Sequence, residues 1–181
     1  MPAHIMDIPS LHTERLELIP PDRRCDAAYQ RFYSDAEASA AYGGPLTPSA
    51  TWARLAFDVG AWTLQGFGVW AVRARHDQEI IGVCGYWQGR GWPRELTWWL
   101  LPEFRGRGLA LEASRAAIAH AYDAWGWEAV ETYTNDNNLP ARALVARLGG
   151  IQIDRRMFPD GDERYVYSIP PQRQASADVI V

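Results

Sequence analysis

The stretch Arg105-Gly106-Arg107-Gly108-Leu109-Ala110 decides how the rest of the chain is interpreted. It follows an apolar, aromatic run at residues 96–101 and precedes an alanine-rich segment with helical periodicity at residues 109–125. A glycine-rich turn between a strand and a helix binds anions, because its N–H groups converge and the helix dipole adds partial positive charge. The two arginines add full charges. The stretch therefore predicts a site for a phosphorylated ligand, and a pyrophosphate fits it best.

Two other kinds of segment are rich in arginine and glycine: a solvated basic turn and a disordered nucleic-acid-binding segment. The apolar segments on both sides disfavour them, because such disordered segments lack apolar neighbours. The spacing also differs from the dinucleotide-binding fingerprint, since Leu111 stands where the third glycine would be. No P-loop pattern occurs in the chain. The turn is therefore interpreted as a different kind of phosphate site.

The pattern Arg105-x-x-Gly108-x-Ala110 resembles the Arg/Gln-x-x-Gly-x-Gly/Ala signature of the GNAT superfamily of N-acetyltransferases. Three further features match in the expected order: Thr13-Glu14-Arg15-Leu16, the strand residues 95–100, and Asn138-x-x-Ala141 before Leu148-Gly149. Together they resemble the branch that contains the ribosomal-protein N-terminal acetyltransferases. The resemblance covers residues 8–170, which is most of the chain.

At 181 residues, 48% of them hydrophobic, the chain fits a single domain with a full core. We expect this domain to span residues 8–170, between flexible tails at 1–7 and 171–181. No apolar stretch has the length of a membrane span, and the start of the chain lacks the pattern of a secretion signal. We therefore expect a cytoplasmic protein that does not bind a membrane.

Charge and composition disfavour several classes of function. The net charge of −4 disfavours nucleic acid as the partner, because a phosphate backbone requires a basic face. Four scattered histidines predict no metal site, and Cys25 and Cys84 fit small buried residues better than a disulfide. Nine tryptophans fit core and rim packing, although an aromatic-lined acceptor cleft or the surface of a homodimer is the alternative.

The periodicity along the chain predicts strands and helices, and the resemblance implies that they form an α+β (three-layer α/β) domain, with a mixed, mostly antiparallel central sheet and helices on both faces. The strands are predicted at residues 16–19, 69–72, 80–86, 95–101, 130–134, 151–155 and 165–169. Helices are predicted at residues 22–36, from Thr47 onward, at 109–125 and at 139–148. The second helix is expected to face the core with Trp52, Leu55, Ala56 and Val59.

The resemblance implies a slot for acetyl-CoA as the co-substrate. The strands at 95–101 and 130–134 would splay apart, and the pantetheine arm would pair with the main chain of Trp98, Trp99 and Leu100. The link at residues 41–45 would line the acceptor site. The residues that hold the cofactor's pyrophosphate would be Arg105, Gly106, Arg107, Gly108, Leu109 and Ala110. Asn138 matches an asparagine that family members place against the cofactor, and it also fits a helix N-cap.

The implied reaction is transfer of the acetyl group to a primary amine by direct attack, with a small-molecule amine or a protein N-terminus as acceptor. Most amines are protonated at pH 7, since the pKa of a model lysine is about 10.4, so a base is needed. Glu95, at the start of the strand beside the slot, is the best candidate, and an ordinary strand-end charge is the alternative. The same strand can donate a backbone N–H to the developing oxyanion.

The sequence departs from the family pattern at the general acid. Many members have a tyrosine where this chain has Val145, and a phenylalanine where it has Gly150. Activity remains feasible because thiols, with a pKa of about 8.5, are tolerable leaving groups. Candidate substitutes are Tyr133, Tyr165 and Tyr167. The missing phenol also leaves open a catalytically weak acyl-CoA-binding module, and the tryptophans leave open an aromatic-rich protein-interaction domain.

Overall fold

The computed structural model describes residues 7–172, which contain all the elements named here. The strands are β1 (Leu11–His12), β2 (Leu16–Ile19), β3 (Val69–Ala74), β4 (Ile80–Trp87), β5 (Glu95–Leu100), β6 (Val130–Thr134), β7 (Ile151–Met157) and β8 (Glu163–Ile169). The helices are α1 (Asp26–Ser34), α2 (Ala36–Ser39), α3 (Pro48–Gln65), α4 (Leu109–Asp123) and α5 (Leu139–Arg147). Most of the tails expected at 1–7 and 171–181 lies outside the described residues.

The strands form two sheets rather than one. The first has the order β1-β2-β3-β4-β5 and the second has the order β6-β8-β7, and every pairing within them is antiparallel. Within residues 7–172 no ladder joins β5 to β6, although the Thr132 hydroxyl on β6 donates a 2.8 Å hydrogen bond to the Leu96 carbonyl on β5. The predicted α+β fold is confirmed, and among the described residues no strand forms a hydrogen-bonded ladder with the second edge of β5.

The first sheet is covered on both faces. Along β3, Trp70 and Val72 belong to the core under α4, whereas Val69 and Ala71 belong to the core under α1 and α3. Side chains alternate between the faces of a strand, so four consecutive buried residues require a layer on each side. Cys84 and Cys25 lie in these two cores as free, buried thiols, as predicted. None of the described helices is long and apolar enough to cross a membrane.

The helix predicted over residues 22–36 is divided. A 3-10 turn at Arg23–Cys25 leads into α1, and Asp35 then adopts an extended conformation and ends it. The Asp35 carboxylate accepts hydrogen bonds from the N–H groups of Glu37 and Ala38 and so caps α2. An aspartate that satisfies the first N–H groups of a new helix competes with continuation of the old one.

The predicted inner face of α3 is wrong apart from Leu55. Trp52 is 49% exposed, Val59 is 38% exposed and Ala56 also faces solvent. The buried residues of the helix are Thr51, Leu55, Asp58, Ala61 and Trp62. The helix begins as predicted, with Thr47 as N-cap and Pro48 in the first turn.

Polar contacts explain why α3 buries a different face from the predicted one. The Tyr29 hydroxyl donates a 2.8 Å hydrogen bond to the Asp58 carboxylate, and Arg54 Nε lies 3.6 Å from the same group. The Trp62 indole donates to the Val69 carbonyl at 2.9 Å. A buried carboxylate is tolerated only when such partners are present. A prediction from apolar residues alone assigns Asp58 to the exposed face, and it therefore assigns the wrong residues to the buried face of α3.

We predict that Asp58→Ala destabilises the fold by about 3 kcal/mol, because it leaves Tyr29 and Arg54 without their partner. Val59→Ser, one residue along the helix, should change the free energy of unfolding by less than about 0.5 kcal/mol. Urea unfolding of both variants measures these values. Equal losses would contradict the burial of Asp58.

Candidate active site

The open edge of β5 is the first component of the site. The Leu101 N–H donates to the Ile81 carbonyl at 2.8 Å, and main-chain groups of alternate residues in a strand point to opposite edges. The odd-numbered residues of β5 therefore bond to β4, and the even-numbered ones face the gap toward β6. Their carbonyls accept hydrogen bonds from side chains: Leu96 from Thr132 (2.8 Å), Trp98 from the Tyr42 hydroxyl, and Leu100 from Arg105 (3.0 Å).

This alternation sorts the three residues predicted to pair with the pantetheine arm. Trp98 and Leu100 present their main chain to the gap. Trp99 presents its main chain to β4, and its indole is buried in a stack with Phe32 at a centroid distance of 4.1 Å. The structure therefore brings the main chain of Trp98 and Leu100 to the gap between β5 and β6, and it places the main chain of Trp99 on the side of β4.

The glycine-rich turn forms the second component. Gly106 and Gly108 have φ angles of 74° and 75°, a left-handed conformation that glycine adopts at little cost. No heavy atom lies within 4 Å of the position that a Cβ at Gly106 would take, so the turn faces open space. The turn is therefore accessible to a ligand at the point where side chains are missing.

The start of α4 supplies donors behind this open space. The first main-chain bond of the helix runs from the Glu112 N–H to the Gly108 carbonyl, at 3.1 Å. The N–H groups of Leu109, Ala110 and Leu111 consequently have no partner inside the helix. Gly108 is the N-cap and has no side chain to satisfy them. Left-handed glycines, an open cradle and unpaired helix N–H groups together fit a diphosphate.

The two arginines of the turn have different surroundings. Arg105 donates to the carbonyls of Leu100 at 3.0 Å and Ala38 at 3.4 Å, so it holds the turn against the end of β5 and against α2. Arg107 is exposed, with its guanidinium carbon 5.6 Å from the centre of the Phe104 ring. Arg105 therefore shapes the turn, and Arg107 remains accessible to a ligand.

Helix α5 begins at the predicted asparagine. The Asn138 side-chain oxygen accepts a 3.3 Å hydrogen bond from the Ala141 N–H, which makes Asn138 the N-cap. Val145, at the position of the family's tyrosine, is buried. A Cβ at Gly150 would lie 2.4 Å from Val145 Cγ1, a separation that packing does not allow. The Val145 carbonyl oxygen also lies 3.0 Å from that position, so position 150 has no room for a side chain.

Glu95 lies at the start of β5, opposite Trp87 on β4, and is partly exposed. Loss of hydration raises the pKa of its carboxyl to about 8, although Tyr133, Arg54 and Arg164 favour the ionised form. The Tyr133 hydroxyl lies beside the carboxyl without meeting hydrogen-bond geometry. A carboxyl that ionises near neutral pH in a cleft is suited to accept a proton.

Aromatic residues form a wall next to Glu95. Trp92 contacts Trp87, Tyr133 and Phe158, with ring centroids 5.8, 6.2 and 5.8 Å away, and Tyr133 lies 4.3 Å from Phe158. Within the described part of the chain, two buried donors near Glu95 have no hydrogen-bond partner, Trp87 Nε1 and Tyr133 OH, whereas Arg54 Nε is paired with Asp58. This region combines an apolar surface with unsatisfied donors, which is the character of a binding cleft.

Tyr42 is a site residue that the sequence did not single out. Its hydroxyl donates to the Trp98 carbonyl at the open edge of β5, and its ring packs edge-on against Phe32 at 5.5 Å. Burial, followed by the charge of Glu95, raises the pKa of its hydroxyl, so it stays a donor. The only sequence signal was its place before Gly43 in the link expected to line the acceptor site.

The tyrosines named as substitute acids are separated in the structure. Tyr133 adjoins Glu95. Tyr165 accepts a 3.1 Å hydrogen bond from Arg155 on the exposed hairpin of β7 and β8, and Tyr167 is buried in β8. Of these three hydroxyls, the structure brings Tyr133 to the cleft.

Among solved structures, the chain is similar to an acetyltransferase from Agrobacterium tumefaciens str. C58, with a TM-score of 0.82 and 29% identity over 90% of this chain and 95% of that chain. The ribosomal-protein-S5-alanine acetyltransferase from Vibrio fischeri matches with a TM-score of 0.69 over 91% of this chain and 97% of that chain. Its 14% identity shows a shared fold alone.

Among curated proteins, the FsC-acetyl coenzyme A-N(2)-transacetylase of Aspergillus fumigatus is 27% identical over 161 residues, which cover 78% of this chain. The match spans 64% of the length of that relative. The acetyltransferase (GNAT) domain family matches residues 15–151, which include the turn, the slot strands and Glu95. The chain therefore belongs to the GNAT family of acetyltransferases.

Proposed function

We propose that the protein transfers the acetyl group of acetyl-CoA to a primary amine by direct attack, with Glu95 as the general base. The observation that carries this proposal is a carboxyl with a pKa of about 8 on the same strand whose open edge leads to the phosphate turn. A base with a pKa near the working pH takes a proton without being permanently protonated. Acetyl-CoA supplies the thioester-bound acetyl group.

The main chain would hold the cofactor from two directions. The N–H groups of Trp98 and Leu100 face the gap between β5 and β6, where an extended arm can add to the strand edge. The diphosphate would bind at Gly106–Ala110, where the helix N–H groups are unpaired. One of the two strand N–H groups would also serve the oxyanion, because a fixed donor stabilises charge that develops during attack.

Glu95 would act on the amine from the far end of this strand. A strand rises about 3.3 Å per residue, so Glu95 lies about 10 Å from Trp98. An acceptor amine and one water molecule span that separation, which allows proton removal through water. The amine therefore enters from the aromatic wall, opposite the side on which the diphosphate binds.

The wall favours acceptors with an oxygen close to the amine. Trp87 Nε1 and Tyr133 OH are donors without hydrogen-bond partners among residues 7–172, and leaving them unsatisfied is costly unless the substrate supplies acceptors. A protein N-terminus and an amino acid both have a carbonyl or carboxyl oxygen next to the amine. We infer that the acceptor belongs to this class of amines.

Tyr42 would assist departure of the thiolate. Its single O–H is donated to the Trp98 carbonyl, where the thioester is expected, so the hydroxyl would turn from that carbonyl to the sulfur as the thiolate forms, and it would fill the role left vacant by Val145. A hydrogen bond from a phenol stabilises a thiolate whether or not the proton is fully transferred.

Glu95→Gln should lower turnover by about 100-fold or more while the Kd for CoA stays unchanged. The basic form of Glu95 exists above its pKa, so wild-type kcat/KM should rise with pH up to about 8. The variant should lose the part of this pH dependence that is due to Glu95 and keep only the part that is due to deprotonation of the acceptor amine. Thiol release measured from pH 6 to 10 tests this, and an unchanged profile removes Glu95 from the role of base.

Gly108→Val should abolish CoA binding, because a branched side chain is strained at a φ of 75° and would fill the mouth of the turn. Gly126→Val is the matched control, since Gly126 also has a positive φ of 64°, open space around it and a position outside the site. Titration calorimetry with CoA compares the two. Normal affinity of Gly108→Val for CoA would contradict binding of the diphosphate at this turn.

Tyr42→Phe should lower kcat about tenfold and leave the Kd for CoA within about twofold, because it removes one hydroxyl from the slot and keeps the ring. Tyr165→Phe, on the exposed hairpin, should leave both quantities unchanged. If Tyr42→Phe turns over at the wild-type rate, the leaving group is stabilised elsewhere.

The same assays separate this function from the alternatives. An acyl-CoA-binding module predicts tight binding of CoA without turnover on any member of an amine panel, and the buried Val145 is the observation in its favour. An aromatic-rich protein-interaction domain predicts no stabilisation by CoA in a thermal-shift titration. Bound ligand stabilises by about 2.7 kcal/mol at 100 times its Kd, so the difference is measurable.

A further inference from the structure

The segment before β2 is attached to the first turn of α4. The Thr13 hydroxyl donates a 2.6 Å hydrogen bond to Glu112 Oε1, and the Arg15 N–H donates to the same oxygen at 2.8 Å. Arg15 Nε donates to the other oxygen, Oε2, at 2.7 Å. Both oxygens of Glu112 are therefore engaged by residues nearly one hundred positions earlier in the chain, and its side chain is only 17% exposed.

The Arg15 guanidinium also contacts the glycine-rich turn. Its Nη1 donates to the Arg107 carbonyl at 2.9 Å. Its Nη2 takes no part in these bonds and lies 3.6 Å from the position of a Cβ at Gly108. The guanidinium thus lies against the turn, with one nitrogen beside the residue that begins α4.

The ion pair between Arg15 and Glu112 changes the electrostatics at the start of α4. Glu112 is the acidic residue in the first turn of α4, next to the N–H groups that would bind a diphosphate. An unpaired carboxylate there would repel a phosphate, since like charges a few ångströms apart disfavour each other. The pair with Arg15 removes that repulsion, and a planar guanidinium matches phosphate oxygens in geometry.

We propose that Arg15 is a further phosphate-binding residue of the cofactor site and that Glu112 positions it. Two hydrogen bonds fix the guanidinium before a ligand arrives, and a third holds the Arg15 main chain, so little rotamer entropy is lost on binding although the side chain is 47% exposed. The N-terminal segment thereby contributes a charge that the turn itself, with Arg105 engaged by carbonyls, does not provide at this position. This inference rests on the proposed function.

The test is the affinity of Arg15→Ala for three ligands measured by calorimetry: CoA, 3′-dephospho-CoA and pantetheine. We expect CoA to bind about tenfold to 100-fold more weakly, as for loss of a hydrogen bond to a charged group. An equal loss for dephospho-CoA assigns Arg15 to the diphosphate, and a loss for CoA alone assigns it to the 3′-phosphate. Pantetheine has neither group, so its affinity should not change, and a loss there would overturn the proposal.

The double variant Arg15→Ala/Glu112→Gln distinguishes a direct contact between Arg15 and phosphate from neutralisation of the Glu112 charge by Arg15. If Arg15 binds phosphate, the double variant stays as weak as Arg15→Ala. Glu112→Gln alone should weaken CoA binding less than Arg15→Ala does, because its one amide oxygen can keep the bonds from Thr13 and the Arg15 N–H but not the bond from Arg15 Nε. If Arg15 only cancels the charge of Glu112, the double variant regains wild-type affinity. That recovery would overturn the proposal.

Arg75→Ala is the matched control for loosening of the segment. Arg75 Nη1 donates to the Thr13 carbonyl at 2.9 Å, so it supports the same segment without contacting the turn. Its affinity for CoA should equal that of wild type, and a loss as large as that of Arg15→Ala would contradict a phosphate contact. Should Arg15→Ala fail to fold, Arg15→Lys provides the test, with an intermediate loss of CoA affinity expected and none for pantetheine.

Failure of this inference is distinct from failure of the proposed function. A wild-type protein that does not bind CoA contradicts the proposed function. A wild-type protein that binds CoA together with an Arg15→Ala variant of equal affinity contradicts the role of Arg15 alone.

Discussion

A strand edge without a hydrogen-bonded neighbour is the constraint on which the structure of this site depends. The main chain of Trp98 and Leu100 faces the gap between two separate sheets, and in residues 7–172 a side-chain bond from Thr132 links the strands of the two sheets at Leu96. Unpaired strand edges are costly or hazardous in most proteins, and they persist where something covers them. Here three side chains engage the outward carbonyls, which protects the edge and leaves the gap available.

The two ends of this edge have opposite electrostatic character. At one end, the turn before α4 concentrates N–H groups and arginines, and it is suited to a highly charged anion. At the other end, beside the aromatic wall, loss of hydration on burial raises the pKa of Glu95 to about 8. The six residues of β5 thus connect a site that attracts an anion to a site where the Glu95 carboxyl ionises only at higher pH. Because the strand holds the two sites apart, the positive charges of the turn do not neutralise the Glu95 carboxylate.

How much could be predicted depended on the range of the interactions. The turn, the strand before it and the helix after it follow from local glycine and apolar patterns, and each is confirmed at its predicted place. The inner face of α3 was predicted wrongly, because Asp58 is stabilised by Tyr29, a residue 29 positions earlier. Tyr42 was not identified for the same reason, since its partner Trp98 lies 56 positions later. Contacts between distant residues leave no periodic signal in the chain.

The packing of Gly150 against Val145 limits how this part of the site can be altered. A Cβ at position 150 would lie 2.4 Å from Val145 Cγ1 and 3.0 Å from the Val145 carbonyl oxygen. Val145 is itself buried, so a larger side chain there would have to displace its neighbours. An engineered proton donor therefore fits this wall only if the surrounding residues are repacked with it.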